Sequence, residues 1–118
     1  MCFPMSFSKG SGYQLHDHPE MIVFTLVLKG NLQVASFEKI EDLKDGKCRL
    51  KLESVDMVKE GEVAFLHHHF RNLHSIGFPS DDGVVLDLSV NYYDEKERTF
   101  GLYFETKEPG VYERKLGN

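Results

Sequence analysis

"YQLHDHPEMIVFTLVLKG", residues 13–30, places two histidines one residue apart at the head of an apolar run that ends in glycine. Met21 to Leu28 is dense in β-branched and aromatic residues, the composition of a strand. Lys29-Gly30-Asn31 then reads as a tight turn. On a strand, residues i and i+2 share a face, so His16 and His18 would present two imidazoles on one side. Pro19 removes a ladder donor, which suits a strand edge or a bulge beside a site. Both a metal-binding pair and two histidines on the wet edge of a sheet fit this spacing.

Outward from that stretch, turn signals and short apolar runs continue. Leu32, Val34 and Ser36 alternate with Gln33, Ala35 and Phe37, the pattern of a returning strand. Asp45-Gly46 is a second hairpin signal, and after it "CRLKLES" sets Cys48, Leu50 and Leu52 on one face against Arg49, Lys51 and Glu53 on the other. "KEGE" at 59–62 precedes the strand "VAFL", "SDDG" at 80–83 precedes "VVLDLSV", and "FGLYFET" is the expected last strand. Only Lys39 to Leu43 has helical character, and it is short. Many short strands at turn-marked intervals imply an all-β antiparallel sandwich or barrel.

The chain's 118 residues suffice for one core, so a single domain spanning 1–118 is expected. Its net charge of −5 comes from interspersed acids and bases, with no basic cluster to track phosphates, which argues against nucleic acid as a partner. Met21 to Leu28, the longest apolar run, is broken by Thr25 and too short to span a bilayer. No basic-plus-apolar signal segment opens the chain, and Cys2 and Cys48 form no disulfide framework. A reducing cytosolic or nuclear setting is therefore expected, and a monomer is the expected state.

Six histidines in this length would yield roughly 0.3 HxH pairs by composition alone, so the motif is weak by itself. A firm site also needs a third ligand. Glu20, the run His67-His68-His69, and His74 are the candidates. Glu20 has the parity of His16 and His18, but three successive same-face residues rarely converge on one ion. Within the triple run, neighbours face opposite ways, so at most two could share a target. His74 lies in "RNLHSIGF", where a loop re-enters a strand, and spacing alone does not set it above the others.

"LHDHPEM" before an apolar strand and Gly30, then "NLHSI", then "VVLDLSVNYYD", resembles the thiol dioxygenases of the plant cysteine oxidase and cysteamine (2-aminoethanethiol) dioxygenase group. The resemblance runs from about Cys2 through Phe104, with the three motifs in the family's order. It implies a cupin, a double-stranded β-helix or jelly-roll barrel, with Fe(II) held by His16, His18 and His74. It also implies that Asp87 and Tyr93 line the substrate pocket. The chain departs from the family in several places. Glu20 stands where the family usually has glycine, and Asn91-Tyr92 where it has a proline pair. Phe100 falls near the position of a cysteine that crosslinks to tyrosine in some members, so no such crosslink is expected. Longer members carry an N-terminal segment upstream of the first metal strand. Met1 falls just before that strand here, and the barrel is expected to be shortened or partly open at that end.

Most non-haem iron oxygenases use two histidines and a carboxylate. The positions where an ordinary cupin would carry the glutamate are Ile22 and Val23, neither of which can ligate. Three neutral imidazoles would leave the ion its full 2+ charge, which favours a thiolate and leaves positions open for O2. The implied reaction inserts both oxygen atoms into sulfur and gives a sulfinic acid. The implied partners are thus O2 and a thiol, either cysteamine or the N-terminal cysteine of a peptide. Asp87 carries weight of its own: it shares a strand face with Val85 and Ser89, opposite Val84, Leu86, Leu88 and Val90. A carboxylate there is costly unless paired, so it either meets a substrate ammonium or orders a histidine, unless that face is solvated. Two other functions stay open, a zinc-dependent hydrolase and a non-catalytic cupin that binds small molecules.

Overall fold

A computed structural model describes residues 2–17, 21–67, 73–91 and 100–117. They form ten strands: β1 Cys2–Phe7, β2 Gly12–Asp17, β3 Met21–Lys29, β4 Leu32–Asp42, β5 Lys47–Val58, β6 Val63–His67, β7 His74–Gly77, β8 Gly83–Asn91, β9 Phe100–Glu105 and β10 Val111–Gly117. Every pairing is antiparallel. Four strands make one sheet in the order β1-β8-β3-β6, and the other six close into a barrel in the order β10-β5-β4-β7-β2-β9. The all-β cupin architecture expected from the sequence is the one observed.

The turns follow from residue chemistry. Gly30 has φ of 83° between β3 and β4, and Asp45 and Gly46 both have positive φ, 60° and 72°, between β4 and β5. Two successive positive φ values match the right-handed twist of a two-residue hairpin, and the Asp-Gly pair accepts them at little cost.

Some details differ from the sequence reading: "FGLYFET" is not the last strand, because β10 follows and pairs with β9 and β5. The short helical stretch at Lys39 to Leu43 is instead strand through Asp42, because β5 extends beside it and captures its backbone groups in a ladder. Leu52 keeps the parity of Leu50 and pairs with Phe37, which packs on the same core, but it lies at that core's margin, 50% exposed.

Alternation on the strands builds two cores. The first lies between the four-stranded sheet and the barrel wall, where Val23, Val27, Ala64, Leu66 and Val85 meet Leu32, Val34 and Phe78. The second draws on barrel strands alone, with Leu15, Cys48, Leu50 and Tyr103 buried together. Strand β2 serves both, because consecutive residues point to opposite sides.

Candidate metal centre

Leu15 faces the second core, so its neighbour His16 faces the first. Across the ladder His16 is the partner of His74, and His74 in turn is the partner of Ser36. The row Ser36–His74–His16 therefore continues the face of β4 that carries Leu32 and Val34. The His16 and His74 rings lie 4.6 Å apart between centroids, inclined at 69°. His74 is 1% exposed.

His16 Nδ1 stands 2.5 Å from the carbonyl oxygen of Gln14. A carbonyl only accepts, so Nδ1 carries the proton and donates it, and the ring lone pair is on Nε2. Burial also pushes the His16 pKa below its ordinary value, against smaller raising effects of the Gln14 carbonyl and Asp17. A neutral imidazole whose second nitrogen is tied to a backbone carbonyl is the state in which histidine binds a metal.

Ser36 is completely buried, and its Oγ makes no hydrogen bond among the described residues. A hydroxyl in that state next to His74 marks a place where a polar guest would recover a lost partner. Two imidazole rings 4.6 Å apart beside this hydroxyl fit a divalent transition-metal ion. Among the described residues no group of three His, Cys, Asp or Glu side chains converges.

Of the residues singled out in the sequence, the fold thus brings His16 and His74 together. His18, Glu20, His68, His69, Tyr92 and Tyr93 lie outside the described residues, and His67 ends β6. Asp87 lies on the inner face of β8 with Val85, and its Oδ1 accepts a hydrogen bond from the Thr25 hydroxyl at 2.6 Å. Burial raises its pKa, and the Thr25 bond opposes that in part.

Asp17 had no role in the sequence reading. It points into the barrel, where Oδ1 accepts from the Gly101 amide at 2.9 Å and Oδ2 from the Tyr103 hydroxyl at 2.7 Å. Arg114 adds a forked contact, Nε to Oδ2 and Nη2 to Oδ1, both 3.3 Å. Gly101 leaves room for that guanidinium: a Cβ there would sit 2.3 Å from Arg114 Nε. Tyr103 is pushed well above its ordinary pKa, first by burial and then by its bond to Asp17. Asp17 thereby ties β2 to β9 and β10 immediately after His16. The available signal was parity: a residue between two same-face histidines must face the other way.

Residues 2–117 match the model of the PCO_ADO family. No curated protein matches the chain. Among solved structures the fold is similar to NovW, a 4-keto-6-deoxy sugar epimerase from Streptomyces spheroides, at 14% identity and a TM-score of 0.55 over 81% of this chain and 48% of that one. It is also similar to a 3,4-ketoisomerase from Helicobacter canadensis, at 14% identity and a TM-score of 0.57 over 82% of this chain and 65% of that one. The chain spans less than two thirds of either protein, and at this identity the likeness is one of fold.

Proposed function

The chain belongs to the PCO_ADO family, that of plant cysteine oxidases and cysteamine dioxygenases, and from this premise we propose that it is a non-haem Fe(II) thiol dioxygenase. Family membership supports a dioxygenase of a metal-dependent kind. The finer reading is that it converts a thiol, cysteamine or the N-terminal cysteine of a peptide, into the sulfinic acid. In that reaction RSH and O2 give RSO2H, so the sulfur supplies all the electrons and no external reductant is consumed.

The observation that carries this reading is the His16–His74 pair, two rings 4.6 Å apart, with the proton of His16 fixed on the nitrogen that faces Gln14. These two histidines and His18 would hold the iron. When bound, the ion supplies the redox chemistry that brings a thiolate and O2 together. The protein's own share is positional. The Gln14 carbonyl orients one imidazole, and the first core keeps bulk water from His74. Asp87, half-buried with its charge penalised by burial, gains most from a cationic neighbour, and the substrate ammonium is that neighbour. Tyr93 would donate its hydroxyl proton to the sulfur or oxygen. Two free cysteines, one exposed and one buried, suit a reducing compartment, cytosolic or nuclear.

The test is a side-by-side assay of cysteamine, free cysteine and a Cys-initiated peptide with Fe(II) under air. The expected result is a mass gain of about 32 Da, two oxygen atoms, on at least one of them. Protein that turns over with zinc and without iron would refute the proposal.

A further inference from the structure

The outer face of the four-stranded sheet carries a cluster of exposed apolar side chains. Phe24, Leu28, Val63, Phe65, Leu88 and Val90 are each between 37% and 53% exposed, on three adjacent strands. Phe24 is the ladder partner of both Phe65 and Leu88, and the two phenyl rings lie 5.2 Å apart. Among the described side chains of this face, Lys29 at its rim is the charged one. At roughly 150–250 Å² for a whole aromatic side chain and somewhat less for an aliphatic one, these six leave on the order of 500 Å² of apolar surface facing water.

We propose that this face is a self-association surface, occupied by the same face of a second copy of the chain in a two-fold dimer. Three observations select that occupant. Two such faces together bury on the order of 1,000 Å², the lower bound of a specific protein interface. The face has almost no charge with which to choose or orient a foreign partner, whereas two copies related by a two-fold axis place the Phe24–Phe65–Leu88 cluster upon itself. Sheets with native twist stack face to face about 10 Å apart, and alternating Phe, Leu and Val side chains interdigitate well at that distance. The sheet's edge is guarded by contrast: Pro4 removes a donor from edge strand β1, so further strands are discouraged from adding there. The surface lies on the side of β3 and β8 opposite Thr25 and Asp87, so pairing leaves the inter-sheet site accessible.

Sedimentation of the purified chain across roughly 1–100 μM tests this, because a dimer dissociates on dilution. The expected species is a closed dimer of twice the 13.6 kDa chain mass. Phe24→Lys and Leu88→Glu, each checked for native circular dichroism, should each weaken it by about 100-fold or more, as central anchors do. Lys51→Glu, on the barrel's charged wall, should leave it unchanged. Three results would overturn the proposal: a monomer at every concentration, a species that grows past the dimer, or a dimer indifferent to both folded face variants.

Discussion

His16 and Asp17 are covalent neighbours, yet the fold places them in different surroundings. His16 enters the space between the sheets, where burial favours the neutral ring and one backbone carbonyl fixes its lone pair on Nε2. Asp17 enters the barrel, where an amide, a phenol and a guanidinium converge on its two carboxyl oxygens. A metal ligand of this kind has to be neutral and aimed. The carboxylate beside it has the complementary task of fixing the strand that aims it. Strand periodicity makes the division possible, since one step along the chain reverses the side.

The largest effect expected is on the histidine side. His74→Ala removes one of the two converging rings and should lower iron affinity and sulfinate formation by more than about 100-fold, beyond what loss of a supporting residue does. Iron titration under anaerobic conditions reads the first and the thiol assay the second. On the carboxylate side, Asp17→Ala leaves Tyr103, Arg114 and the Gly101 amide without their shared acceptor and should cost about 2–3 kcal/mol by denaturant unfolding. Asp17→Asn keeps an acceptor and should cost less, with iron affinity reduced about 10-fold through His16. If Asp17→Asn changed stability and left iron affinity untouched, the two faces of β2 would be independent of one another.

A third expectation concerns pH. The folded His16 pKa lies below the ordinary value of 6.5, so on acidification the unfolded chain takes up its proton first. Stability of the metal-free protein should therefore fall as pH drops below 6.5, until the folded ring protonates as well. His16→Gln should flatten that part of the profile, as read from melting temperatures across pH 5 to 8. The smallest effect is expected at Ser36. Its Oγ finds no partner among the described residues, so Ser36→Ala should change stability of the metal-free chain by less than about 1 kcal/mol. If the hydroxyl serves a guest at the centre, the same variant should weaken iron or substrate binding measurably.

Much of this was legible before any coordinates. Met21–Leu28, the Asp45-Gly46 hairpin and the runs at 63–66, 84–90 and 100–106 announced their strands by composition and turn residues, and each is a strand in the structure. β1 and β10 were not announced, because "CFPMSF" and "VYERKLG" alternate poorly and owe their extended form to partners β8, β9 and β5. The same dependence on a partner turned Lys39 to Asp42 into strand. At the site, spacing nominated His16 and left His74 among several candidates; family resemblance picked it out. The Asp17 clamp joins residues 84 and 97 positions apart in the chain, and no local pattern encodes a contact of that kind.

The sequence by itself determined that the chain is all-β, where most of its turns fall, and which residue types are available for metal chemistry, since these follow from local backbone preference and alternation. The tertiary structure alone decided that His74 stands beside His16, that Asp17 is locked behind them, and that one sheet face stays apolar in water. Those outcomes depend on ladder register and on which sheet covers which, quantities set by the packing of the whole chain against itself.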